Sequence, residues 1–245
     1  MGYDYAFASV YDKFTRNARP NDRAAYVLSL LKKAGVASGI LLDLACGTGA
    51  MTESYVKAGY DVIGVDLSEE MLDIARERLG ASVLLLAQDM TALDLYGTIN
   101  ACVCSLDAIN HLTSVEDVKA AFSRVSLFTE PGGVFVFDVN TLYKHREVLG
   151  NNVFVYEDET DYLVWQNFYD PEDGSVVEAL DVFSLNADGS YTRDADEIVE
   201  RAYPTALLSS LLKEAGFEVL GLYGDMTLLP PEETEERVYF VARKK

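Results

Sequence analysis

Cysteine, histidine and basic side chains are all scarce in this chain of 245 residues. Three cysteines, Cys46, Cys102 and Cys104, make an odd count without a CxxC pair, so neither a disulfide framework nor a zinc site is legible. Two histidines, His111 and His145, argue against a His-rich metal centre, and no metal is expected. His145 stands beside Arg146 and reads as exposed. The longest stretch free of charge, Leu95–Leu106, has twelve residues, too short to span a bilayer. The start, Met-Gly-Tyr-Asp-Tyr, lacks the basic and apolar regions of a secretory leader, and a cytoplasmic location is expected. Twenty basic side chains face forty acidic ones, a net charge of −20 that would repel a phosphate backbone and speaks against nucleic-acid binding. The charge is uneven. Residues 1–35 carry six basic and three acidic groups, net +3, whereas residues 145–203 carry three and fifteen, net −12. A solvated surface accounts for such a block without further function.

What is plentiful is apolar side chain: 49% of residues, with 11% aromatic, enough for a full core. Between residues 36 and 140, short β-rich runs (Ile40–Ala45, Asp61–Asp66, Val83–Ala87, Ile99–Cys104, Val134–Val139) alternate with helical patterns (Ala50–Ala58, Glu69–Leu79 and Ser114 to about Thr129). Ser68 and Ser114 are N-cap residues, the latter in a capping box with Asp117. The alternation predicts a parallel sheet with helices on both faces. Cys102 and Cys104, two apart on a strand, share one face. One link is short: eleven residues separate Ala87 from Ile99, tight for a parallel crossover. After Asn140 the pattern changes to Phe154–Tyr156, Tyr162–Phe168, Val176–Phe183 and Tyr191–Val199, the last three separated by Pro171-Glu-Asp-Gly174 and Asp188-Gly189. This predicts an antiparallel meander coinciding with the acidic block. A helix (Pro204–Ala215) and two strands (Phe217–Tyr223, Arg237–Ala242) follow, so the meander, residues 145–199, is read as an insertion into a domain made of 1–144 and 200–245.

The strongest local signal is Asp43-Leu-Ala-Cys-Gly47-Thr-Gly49, a Gly-x-Gly turn between a strand and a helix. Glycines there admit close backbone approach, and helix N–H groups favour an anion. Asp66 ends the next strand nineteen residues after Gly47, where a carboxylate can accept both hydroxyls of a ribose. A dinucleotide site wants a third small residue, but Thr52 stands there, and Asp43 would oppose a pyrophosphate. A carboxylate at Asp43 suits a ligand that carries an ammonium or a sulfonium.

These residues, followed by Gly64-Val-Asp-Leu-Ser-x-x-Met-Leu72, Gln88-Asp89-Met90 and Pro131-Gly132-Gly133, resemble the motifs of class I S-adenosylmethionine-dependent methyltransferases. Cys104-Ser-Leu-Asp-Ala-Ile-Asn-His-Leu112, the meander, and Glu200-Arg-Ala-Tyr-Pro204 are similar to a bacterial subgroup with a small β-lid, related to N,N-dimethyltransferases of nucleotide-linked amino sugars. The resemblance implies an α/β, Rossmann-like seven-stranded sheet with helices on both faces and an antiparallel β lid. It implies S-adenosylmethionine as cofactor and a small-molecule acceptor, in a monomer or homodimer. It places the methionine moiety at Asp43 and the backbone of Ala45, Cys46, Gly47 and Gly49. It further places the ribose at Asp66, the adenine between Leu67, Met71, Gln88, Asp89 and Met90, and the amino-acid end at Cys104 and Ser105. Tyr11 is aligned with a tyrosine that closes over the cofactor.

Methyl transfer needs the acceptor aligned behind the methyl with its lone pair free, and a base where the acceptor is protonated. His111, seven residues past the fourth strand, is the candidate base, with Tyr11 and Tyr203 as secondary candidates. Two other readings stay open: a non-catalytic S-adenosylmethionine-binding module and a nicotinamide-dependent oxidoreductase. The acidic block favours an amine acceptor over a pyrophosphate-bearing one, although Arg16, Arg19 and Arg23 offer a phosphate clamp.

Overall fold

Branched and aromatic side chains concentrate in eleven strands, which the computed structural model arranges in two sheets. The structure describes residues 5–245, with side chains from Val10 onward; the first four residues, part of the segment read for a leader, lie outside it. The larger sheet holds β1 (Ile40–Leu44), β2 (Asp61–Asp66), β3 (Leu84–Ala87), β4 (Ile99–Cys104), β5 (Thr129–Asn140), β10 (Phe217–Tyr223) and β11 (Arg237–Lys244) in the order β10-β11-β5-β4-β1-β2-β3. β1 to β5 are mutually parallel. β11 inserts antiparallel between β5 and β10, because the connection from β10 carries no helix to reverse the chain.

The four helices read from caps and periodicity form, and two unread ones precede the first strand. Among them are α1 (Tyr5–Phe14), α2 (Pro20–Lys33), α3 (Thr52–Lys57), α4 (Glu69–Leu79), α5 (Val115–Phe128) and α6 (Thr205–Glu214). Ser68 Oγ accepts the Met71 N–H at 3.2 Å, and Ser114 Oγ accepts the Asp117 N–H at 3.0 Å, so both predicted caps are made. Alternate side chains of the strands feed two cores. Leu42, Cys102, Cys104, Phe135 and Phe137 pack under α5 and α6, while Leu41, Ala101, Val103, Val134 and Val136 pack under α2 and α3. Phe137 and Phe240 stack at 4.7 Å in the first of these.

The short link after β3 crosses back over β2 and β1 without an α-helix, using only a 3-10 turn at Met90–Ala92. Eleven residues reach about 36 Å when extended, against a lateral step of about 14 Å across three strand spacings, so the crossing needs no helix. Strand order reverses between β1 and β4, which opens a crevice at their carboxyl ends.

The second sheet, β6 (Val153–Glu157), β7 (Asp161–Tyr169), β8 (Ser175–Leu185) and β9 (Tyr191–Arg201), is an antiparallel meander inserted between β5 and α6. Its apolar face (Leu163, Leu180, Val182, Trp165, Ile198) packs on Val10, Tyr11 and Phe14 of α1. Lys13 of α1 pairs with Asp158 at 2.6 Å and with Asp161. The lid thus leans on the N-terminal helix, over the crevice.

Candidate functional site

β1 delivers Asp43 to the carboxyl edge of the sheet, where it is 3% exposed and accepts the Thr52 hydroxyl at 2.6 Å. Burial, with a contribution from Asp66, outweighs that hydrogen bond and pushes the Asp43 pKa up to about 7. The chain then turns through Ala45 (φ 60°) and Gly47 (φ 53°). At Gly47 a Cβ would meet no atom within 4 Å, so the turn leaves its floor open to a ligand. Asp66 ends β2 and accepts the Gly47 N–H at 2.7 Å and the Ser68 N–H at 2.9 Å, tying the turn to the start of α4. Burial raises its pKa against these two bonds. Thr48 extends the frame: its hydroxyl donates to Asp12 of α1 at 2.6 Å, and Arg78 of α4 donates to its carbonyl at 2.8 Å.

A cavity of about 530 Å³ opens at this edge, within the range of small-ligand sites. Of the residues singled out in the sequence, it brings together Tyr11, Asp43, Ala45, Cys46 and Gly47 on one side. Asp66, Leu67, Met71, Gln88, Asp89 and Met90 line a second side, and Ser105 and His111 a third. Asp89 also caps the Met90–Ala92 turn through the Thr91 N–H (2.7 Å), and the Gln88 amide clasps the Asp94 backbone (2.8 and 3.0 Å). Burial raises the Tyr11 phenol well above its usual range, aided by Asp107 and Asp66.

Five expectations need correction. Gly49 does not line the cavity; its absent Cβ would lie 2.8 Å from Leu79 Cδ1, so it is small to let α4 pack against the turn. Cys104 is fully buried in the core, and only Ser105 reaches the cavity. Tyr203 faces away, into a separate hollow of about 270 Å³. Its hydroxyl donates to the Leu112 carbonyl, and burial pushes its pKa up to about 12. His145 is fully buried, not exposed, because the π-type turn Lys144–Leu149 rotates it inward and leaves Arg146 outside with Glu147. The candidate phosphate clamp does not form at this site either. Arg19 pairs with Asp22 (2.6 Å), and Arg23 is engaged by Asp225 (2.5 and 3.1 Å) and the Ala18 carbonyl (2.7 Å).

Among the cavity residues that the sequence reading did not name are Leu112–Thr113, Asp117 at the start of α5, and Glu197–Val199 of β9. Asp117 carried a signal, its capping box, but that pattern points to helix geometry and not to a ligand. Behind the cavity, Asp138 accepts the N–H groups of Leu106 (3.0 Å) and Asp107 (3.1 Å). Both residues are in the left-handed region (φ 57° and 59°), so a buried carboxylate holds a strained loop beside Ser105. Arg237 of β11 pairs with Asp138 and, at 3.2 Å, with Asp107, whose carboxyl it holds well below the usual range despite burial. Among the described residues no Lys or Arg lines the cavity, and no His/Cys/Asp/Glu cluster suits a metal ion. No described helix is long and apolar enough to cross a membrane.

Residues 41–133, the span that carries the glycine turn and both carboxylates, match a family described as a methyltransferase domain. YqeM of Bacillus subtilis (strain 168), which bears a methyltransferase name, is 32% identical across 97% of this chain and 96% of its own length. A dTDP-3-amino-3,4,6-trideoxy-alpha-D-glucopyranose N,N-dimethyltransferase of Streptomyces venezuelae is 34% identical over 56% of this chain and 58% of its own. The crystal structure of an S-adenosylmethionine-dependent methyltransferase from Clostridium acetobutylicum ATCC 824 superposes with a TM-score of 0.88 at 30% identity, covering 98% of each chain. With a Rossmann-like seven-stranded sheet, a crevice at its switch point and likeness along nearly its whole length, this chain belongs to the class I S-adenosylmethionine-dependent methyltransferases.

Proposed function

We propose that this methyltransferase transfers the methyl group to the nitrogen of a small amine or amino sugar. The observation that carries this reading is the lining of the cavity: a histidine at one wall, five carboxylates (Asp43, Asp66, Asp89, Asp117, Glu197) and no Lys or Arg among the described residues. Such walls favour a cation or a neutral amine and disfavour a phosphate. The N,N-dimethyltransferase relative acts on a nucleotide-linked amino sugar, which supports nitrogen as the acceptor atom but would bring a pyrophosphate that this lining does not welcome.

When bound, the cofactor supplies a methyl group on a sulfonium sulfur that departs with the bonding pair. The protein's part is to hold and align. Asp66 accepts the ribose hydroxyls, and Leu67, Met71 and Met90 flank the base. Asp43 faces the cationic end, and Tyr11 lies between the cavity and the lid packing. His111 accepts the proton that the acceptor nitrogen gives up, and Glu197–Val199 of the lid form the acceptor's wall.

Isothermal titration tests the donor side. The wild type should bind S-adenosylmethionine and not NAD, and Asp66→Ala should bind it roughly ten- to a hundred-fold more weakly through loss of a charge-assisted acceptor. An unchanged dissociation constant would put the ribose elsewhere. Release of S-adenosylhomocysteine with primary or secondary amines, and none with the matching alcohols, tests the acceptor side. Binding without turnover on any amine, alcohol or sugar would favour the non-catalytic module.

Asp43 gives a pH dependence. Its pKa in the folded, cofactor-free protein is about 7, raised above the unfolded value of 3.8 by burial, so giving up that proton costs the protein stability as pH rises through that window. A bound cation favours the carboxylate, so binding releases the proton below pH 7. Affinity should therefore be roughly tenfold weaker at pH 6 than at pH 8, and the thermal shift on adding cofactor should be larger at pH 8. Asp43→Asn should abolish this slope. A flat affinity from pH 6 to 8 in the wild type would show that Asp43 does not face the cation.

A further inference from the structure

Four residues at the end of the lid, Glu200-Arg-Ala-Tyr203, lie behind the loop that carries His111. Tyr203 donates its hydroxyl to the Leu112 carbonyl, and Arg201 donates to the Thr113 carbonyl at 3.0 Å. Asn110 returns the contact, donating to the Arg201 carbonyl at 2.9 Å. Within this clasp Glu200, 4% exposed, points one carboxylate oxygen forward and one back. Oε1 lies 3.6 Å from Nε2 of His111, in ion-pair range. Oε2 accepts the Asn140 amide at 3.0 Å and lies 3.3 Å from Nε2 of His145, close enough for an ion pair but off the hydrogen-bonding line. His145 Nδ1 stands 3.1 Å from the Gly174 carbonyl, which only accepts, so that nitrogen carries a proton and the ring is locked in place.

We infer that Glu200 is the positioning carboxylate of His111: it holds the Nε2–H tautomer, leaves the lone pair on Nδ1, and steadies the imidazolium formed when that nitrogen takes the acceptor's proton. A buried carboxylate behind a histidine does this by favouring one tautomer and one ring orientation. Burial and the charges of Glu200 and Asp107 push the carboxyl of Glu178, on the neighbouring strand β8, well above its usual range. On the other sides of this cluster, Lys144 donates to Asn140 at 2.8 Å, and Arg237 is taken up by Asp107 and Asp138. His111 itself feels Asp66 and Asp107 in addition to Glu200. One strand, β9, thereby contributes a wall of the cavity at residues 197–199 and the support of the base at residue 200, which makes the lid part of the proton path.

The inference rests on His111 being the proton acceptor, and its test is read without donor or acceptor. The chain has only two histidines, so long-range ¹⁵N correlation spectra of the free protein resolve both, with His111→Ala as the assignment control. The wild type is expected to show His111 as the Nε2–H tautomer, and Glu200→Gln, nearly isosteric and still able to accept from Asn140, is expected to lower the His111 titration midpoint by about one unit. Glu200→Asp should restore part of that shift. With cofactor and an amine, Glu200→Gln should lower kcat roughly tenfold, leave cofactor affinity unchanged and move the acidic limb of the rate profile by the same amount as the midpoint. A predominant Nδ1–H tautomer in the wild type overturns the inference without any variant, and so does a His111 midpoint that is the same in Glu200→Gln. Failure of the methylation reading itself would appear separately, as no binding heat with S-adenosylmethionine.

Discussion

Replacing His111 with alanine is expected to lower kcat by about 10²–10⁴-fold, the usual cost of losing a general base, with the dissociation constant for S-adenosylmethionine unchanged. The second histidine cannot substitute, because His145 is fully buried behind Glu200 and does not line the cavity. The defect should shrink as pH rises, since an amine acceptor then arrives already deprotonated. His111→Tyr adds a discriminating arm: activity largely retained would assign His111 to orientation rather than proton removal. A fall in melting temperature and cofactor affinity together, with turnover per bound cofactor intact, would make the residue structural and remove the base from the mechanism.

The second large effect falls on stability and not on chemistry. Asp138→Ala is expected to cost about 3–5 kcal/mol, because it leaves Arg237, itself buried, without one of its two carboxylates. It also orphans the N–H groups of Leu106 and Asp107 in their left-handed conformations. For a chain of 245 residues this corresponds to a drop in melting temperature of order 10 °C, measurable by calorimetry. Arg237→Met should cost less on the Asp138→Ala background than alone, since there it removes a buried charge that has already lost a partner. Additive losses in that double-mutant cycle would show that the two side chains do not act as a pair.

Local pattern was sufficient where a structural element is decided by its own residues. β2 and β4 have the predicted bounds, Asp61–Asp66 and Ile99–Cys104, and α4 runs Glu69–Leu79, because caps, glycine stops and apolar periodicity act over a few residues. The glycine turn was legible for the same reason, since Asp43, Gly47 and Asp66 are held by strand ends that the alternation itself defines. β9 was legible as a strand of a lid, but not which of its residues would form a wall. Its residues Tyr191–Arg201 are mostly polar, and only its landing over the crevice turns Glu197–Val199 toward a ligand.

By itself, then, the sequence determined the parallel α/β core, the inserted meander and the carboxylates that flank the glycine turn, because each follows from interactions within about twenty residues. Tertiary structure alone decided which side chains meet behind the base. Arg237 reaches Asp138 across 99 positions, Asn140 reaches Glu200 across 60, and Glu200 reaches His111 from a different sheet. It also turned His145 inward through a π-type turn and sent Tyr203 to the far side of the loop. These outcomes depend on how the lid sheet packs on α1 and how β11 pairs with β5, and burial of that kind leaves no periodic trace in the chain that undergoes it.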